Sequence, residues 1–155
     1  MQAQQPAQKA QKEIPAKKRY LLQDQNRTVE VTIDKDSIEI NGTKKTVLVI
    51  FFTSWCPSCK AELQELRTIY PKYKEKLDII GLQLDDKPVE APFFISRNIN
   101  ANEAIAKAVY AKLHAPASMP IPLSLLLHNN EYVIHYVGAV PLEMIEIDIK
   151  KVLGE

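Results

Sequence analysis

A chain of 155 residues has room for one domain with a sizeable core and none for a second. With 46% hydrophobic and 25% charged residues it is neither a disordered nor a fibrous chain, and a net charge of +1 points to no polyanionic partner. The longest apolar run, VLVIFF at 47–52, falls far short of the roughly 20 residues that cross a bilayer.

The opening MQAQQPAQKAQKEIPAKK is rich in Gln, Ala and Lys and lacks the apolar stretch of a signal peptide, so residues 1–19 read as a disordered tether and 20–155 as the domain. A Met ahead of such a tether fits a chain from which an export signal or membrane anchor has been removed. The tether carries Lys9, Lys12, Lys17, Lys18 and Arg19 against Glu13, leaving 15 basic and 18 acidic residues in the body. That mildly acidic body has no nucleic-acid footprint.

From Tyr20 onward short β-rich runs begin. TVEVTI (28–33) alternates, NGTKK supplies a turn, and TVLVIFF (46–52) is apolar throughout, as a strand buried on both faces is. Beyond Cys59, residues Leu63, Leu66, Ile69, Tyr70, Tyr73 and Leu77 recur at steps of three and four, one face of a helix that Pro71 should kink or split. LDIIGLQLD (77–85) is a second buried strand. Residues 88–100 give no clear element, and PFFI at 92–95 is the candidate partner-recognition segment, with a dimer contact as the alternative. Asn100, with Glu103 three residues on, is the expected cap of a helix that Pro116 ends. A strand near 122–127, the turn HNNE and a strand at 132–137 form a hairpin, and a last helix starts at Pro141 with Leu142, Ile145, Ile149 and Val152 on one side. Strands alternating with helices and ending in a hairpin and a helix indicate an α/β sandwich with a mixed sheet.

Both cysteines of the chain lie in TSWCPSCK, behind its one tryptophan. Cys56 and Cys59 are spaced to close a short disulfide ring where a buried strand ends and a helix begins. There the helix N-terminus stabilises a thiolate on Cys56, making it the nucleophile, while Cys59, one turn in, resolves the mixed disulfide. Pro57 suits the first turn, where its missing N–H costs nothing. Two other readings stand beside this one. Zinc would need four ligands, and His114, His128 and His135 offer no matching spacing, so no metal is expected; a purely structural staple would constrain few residues.

The strand VLVIFF, then WCPSC, then a proline-containing helix resemble the active-site region of thioredoxin-fold proteins. SMPIPLSLLL resembles the segment that carries that family's cis-proline, which the resemblance places at Pro122 after Ile121, with Pro120 as the alternative; YVGAVP at 136–141 is similar to its last strand. The 63 residues from Cys59 to Pro122, and FFTSWCPSCKAE, resemble the exported TlpA, ResA and CcmG-like branch. The resemblance implies a thioredoxin fold, a mixed central sheet flanked by helices, extended by an N-terminal β-hairpin. It also implies that Glu62 matches that branch's acidic residue, a proton acceptor for Cys59 or else a solvated glutamate at a helix start. Thioredoxin itself has a buried aspartate where this chain has Ile50, so any carboxylate serving Cys59 is Glu62, or else Asp85 or Asp86. Trp55, Pro57, Ser58, Ile121 and Pro122 are the expected docking surface for substrate.

The activity implied is reduction of disulfides in exported proteins, apocytochrome c among them, with no bound cofactor and a membrane-bound thiol donor restoring the dithiol. The alternatives are a dithiol oxidase or isomerase, and a binding module without turnover.

Overall fold

The computed structural model describes residues 17–25 and 27–155, so the expected tether lies outside the described residues up to position 16. Strands β1 (Lys18–Gln23), β2 (Thr28–Ile33) and β3 (Ile38–Asn41) form an antiparallel sheet in chain order. Lys18 and Arg19 therefore belong to a strand, paired with Ile33 and Thr32, and not to the tether. The expected hairpin has a third strand because Ile38 and Ile40 pair with Ile33 and Val31 ahead of the turn at Gly42, whose φ is +91°.

The main sheet runs β6-β5-β4-β7-β8, formed by β4 (Thr46–Phe52), β5 (Leu77–Gln83), β6 (Phe94–Ser96), β7 (Leu123–His128) and β8 (Glu131–Val137). β4 pairs parallel with β5 and antiparallel with β7, which makes the sheet mixed. All seven residues of β4 are buried because both its faces are covered. Val47, Val49 and Phe51 pack with the three-stranded sheet and helix α2 (Ile99–Lys112). Leu48, Ile50 and Phe52 pack with helices α1 (Pro57–Tyr73) and α3 (Leu142–Leu153). The continuous apolar run of the sequence is thus the seam between two cores, each large side chain contributing about 1.5–3 kcal/mol on burial.

Three local expectations are corrected. Helix α1 is not split at Pro71, which lies two residues before its last residue, so the one intrahelical bond it forgoes falls in the final turn after most of the helix has formed. The cap of α2 is Asn98, not Asn100: the Asn98 side chain accepts from the Ala101 N–H at 3.2 Å, and Asn100 lies inside the helix. Phe93, Phe94 and Ile95 are buried, Phe94 and Ile95 in β6, so this segment is core and not an exposed recognition loop. The reason is pairing: Phe94 and Ile95 extend the sheet beside Ile80 and Gly81. The HNNE turn closes with positive φ at both Asn129 and Asn130, which asparagine tolerates.

Gly81 in β5 leaves no room for a side chain. A Cβ there would meet Ile95 Cδ1 at 2.6 Å and Phe52 Cε1 at 3.1 Å, and both side chains are buried. Gly81→Ala is expected to lower stability by about 1–3 kcal/mol, read as a lower denaturant midpoint at unchanged slope.

Candidate active site

β4 delivers the chain to Thr53, a turn at Ser54–Trp55 follows, and Cys56 caps α1. Cys56 has extended backbone (φ −82°, ψ 117°), which frees its side chain to take the first helical N–H groups. Its Sγ accepts from the Cys59 N–H at 3.1 Å and lies 3.4 Å from Ser58 Oγ. Burial pushes the Cys56 thiol up, but these bonds from Cys59 and Ser58 outweigh it and bring it below the ordinary thiol value. Cys59, fully buried on the inner side of the first turn, goes the other way: burial first, then its neighbour Cys56, raises it to about 12. Both cysteines are thiols. The site therefore holds one sulfur poised to ionise beside one that keeps its proton.

Glu62, one turn beyond Cys59, is fully buried. Its Oε1 accepts from the Val140 N–H at 3.2 Å, while Oε2 has no protein partner. Burial is the main cause that raises its carboxyl to about 7, opposed by the Val140 bond and reinforced by Glu65. A solvated glutamate at a helix start is thereby ruled out. Ile50, where thioredoxin has its aspartate, is fully buried and apolar and packs in the same core as the two cysteines. Asp85 is engaged with Ser54 and Gln83, and Asp86 is exposed, so of these three carboxylates Glu62 is the one that is fully buried with an oxygen left without a protein partner.

The remaining expected residues converge on the same end of the sheet. The antiparallel register that sets Phe51 opposite Leu123 brings Ile121 and Pro122 beside the exit of β4. The Ile121–Pro122 peptide is cis, and Ile121 packs against the core that contains Cys56 and Cys59. Pro122 is buried and its carbonyl accepts from the Gly138 N–H at 2.8 Å. Pro57 and Ser58 are exposed, and Trp55 is 67% exposed, so its ring belongs to the surface around the thiols and not to the core. Of the histidines, His114 is exposed beyond α2, His128 bonds Thr46 Oγ1 at 2.8 Å, and His135 sits against Tyr132 on β8. Among the described residues no group of three or more His, Cys, Asp or Glu side chains is placed to hold a metal ion, and no helix is long and apolar enough to cross a membrane.

Sequence reasoning missed Val140, which holds Glu62 through a backbone N–H that no side-chain pattern reveals. It also missed the bonds of Asp85 to Ser54, because 31 residues separate the partners.

The sequence model described as Thioredoxin-like matches residues 42–133, more than half of the chain. Over 128 residues the chain is 29% identical to "Thiol-disulfide oxidoreductase ResA" of Bacillus thuringiensis subsp. konkukian, covering 80% of this chain and 73% of that one. It is 25% identical to a thioredoxin of Buchnera aphidicola over 130 residues, 84% of this chain and 96% of the other. Among solved structures, a putative thiol:disulfide interchange protein DsbE from Chlorobium tepidum superposes with a TM-score of 0.64 at 19% identity, covering 92% of this chain and 99% of that one.

Proposed function

The chain belongs to the thioredoxin-like family and is a thiol-disulfide oxidoreductase, and from that premise we propose that it runs in the reducing direction on disulfides of exported proteins. The observation that carries the direction is the balance at Cys56. The groups that lower its thiol are the neutral bonds from Cys59 and Ser58, and burial opposes them. A strong oxidant holds its reduced form through a strongly stabilised thiolate, and the causes that lower Cys56 include no cationic neighbour to supply that stabilisation.

In this reading the Cys56 thiolate attacks one sulfur of the substrate disulfide, and the other sulfur leaves as a thiolate that takes up a proton. Glu62, about half ionised near pH 7, accepts the proton of Cys59. The Cys59 thiolate then attacks Cys56 Sγ, expels the second substrate thiol and leaves the Cys56–Cys59 disulfide. Two electrons have passed to the substrate, and a membrane-bound thiol donor returns them. No bound cofactor enters. The substrate chain lies against Trp55, Pro57, Ser58, Ile121 and the backbone beside Pro122, as an added strand would. The likeness of FFTSWCPSCKAE and of the 63-residue spacing to the exported branch supports an extracytoplasmic setting, a tether to the membrane and apocytochrome c as a substrate class.

The test is the reduction potential of the pair, followed by Trp55 fluorescence in defined dithiol/disulfide buffers. The expected value is near or below about −250 mV, on the thioredoxin side of the scale; a value above about −150 mV would make the protein an oxidant and overturn the proposed direction.

A further inference from the structure

Asp85 lies just past the end of β5 and reaches across to the turn that carries the reactive cysteine. The Ser54 N–H donates to its Oδ1 at 2.9 Å and the Ser54 hydroxyl donates to its Oδ2, so one residue engages both carboxylate oxygens. The Gln83 side-chain amide donates to Oδ1 as well, at 2.9 Å. Gln83 is itself fully buried, and its main-chain carbonyl accepts from the side-chain amide of Asn102, equally buried in α2, at 2.7 Å. A continuous set of hydrogen bonds thus runs from α2 through the end of β5 to Ser54. Only Trp55 separates Ser54 from Cys56.

We propose that Asp85 is a positioning residue for Cys56: its two-pronged hold on Ser54 fixes the Ser54–Trp55 turn, and with it the backbone that aims Cys56 Sγ at the N-terminal amides of α1. Thr53 is buried but its Oγ1 has no hydrogen-bond partner, and the Trp55 ring is exposed, so the side-chain hydrogen bonds that hold this turn run from Ser54 to Asp85. The chain must also leave a strand and enter a helix within four residues, 53–56, a reversal that tolerates several backbone paths unless one is selected. Charge-assisted bonds from a carboxylate to a backbone N–H and a hydroxyl are among the stronger ways to select it. Asp85 sits on Ser54 and not on a sulfur, so it acts through the position of Cys56 and exchanges no proton with it.

The sign of one measurement separates this role from the alternatives. The rate of Cys56 alkylation by iodoacetamide, followed against pH in the reduced protein, gives the midpoint at which Cys56 ionises; buried Cys59 does not compete. If Asp85 positions Cys56, Asp85→Asn loosens the turn, weakens the bond from the Cys59 N–H, and raises the midpoint by about half a unit, so that alkylation below it slows about threefold. Ser54→Ala, which keeps the Asp85 charge and removes one prong, moves the midpoint the same way by less. Were Asp85 acting only through its charge, removing that charge would lower the midpoint. Were it only a structural bond, Asp85→Asn would lower the melting temperature and leave the midpoint where it was. Either result overturns the proposal, and if Asp85→Asn fails to fold, an unmoved midpoint in Ser54→Ala does so. The readout concerns Cys56 ionisation alone, so it stands whichever way electrons flow through the pair.

Discussion

Cys59→Ala, mixed with a disulfide-bonded substrate protein, should accumulate a covalent complex through Cys56 that persists until a thiol is added, while multiple turnover falls to the uncatalysed rate. The reason lies in the division of labour between the two sulfurs. Cys56 ionises at the mouth of α1 with bonds to stabilise its thiolate, and Cys59 is the one sulfur placed to break the resulting mixed disulfide from inside. Cys56→Ala should form no complex and show no turnover. The measurement is non-reducing electrophoresis alongside an insulin-reduction assay. A Cys56→Ala protein that retained its cellular role would instead point to a binding module that uses the groove without chemistry, and a Cys59→Ala protein that kept turning over would remove Cys59 from the resolving role.

Glu62→Gln carries the second large effect, and it separates a kinetic consequence from a thermodynamic one. A buried carboxylate that accepts the Cys59 proton contributes on the order of 10²-fold to resolution, so the variant should release mixed disulfide about that much more slowly near pH 8, with initial attack by Cys56 unchanged. Stability should move in the opposite sense. Burial raises the Glu62 carboxyl to about 7 in the folded chain, above its ordinary value of 4.5, so between those values the folded state holds a proton that the unfolded state has lost. Stability from this group is therefore full below pH 4.5, declines as pH rises through about 7, and stays at its lowest above that. The decline amounts to about 3 kcal/mol, and the glutamine variant, with no proton to lose, should lack that slope and be the more stable protein at pH 8. Urea denaturation at pH 5 and pH 8 checks this. A variant equally stable relative to wild type at both values would mean that Glu62 ionises as a solvated group does.

These two expectations place function and stability in tension at one residue. A glutamine at position 62 would keep an acceptor for the Val140 N–H and bury no ionisable group, whereas the glutamate buries one with Oε2 unpartnered, which fits the proposed use of its proton. Asp85 differs: its carboxylate is held below the usual range because bonds from Ser54 and Gln83 outweigh its burial, so it remains a fixed charge with its oxygens occupied. The two carboxylates are thus shifted in opposite directions, which fits the proposed division between proton transfer by Glu62 and positioning by Asp85.

The sequence alone was enough to specify what depends on local spacing and on the character of single runs. The run 46–52 has to be a strand covered on both faces, since seven consecutive apolar or β-branched residues have no polar side to show. Two cysteines three apart at a strand-to-helix junction have their roles assigned by where they stand in the first turn. Tertiary structure decided whatever turns on partners distant in the chain. Whether Glu62 is a surface glutamate or a buried acid depends on a backbone N–H 78 residues away, and whether Asp85 serves a sulfur or a turn depends on how β5 ends beside β4. The segment 92–95 looked like a recognition loop because short apolar runs read alike whether they face solvent or a sheet edge. Pairing with β5 made it core, and only the register of β4 against β7 brought Ile121 and Pro122 to the thiols.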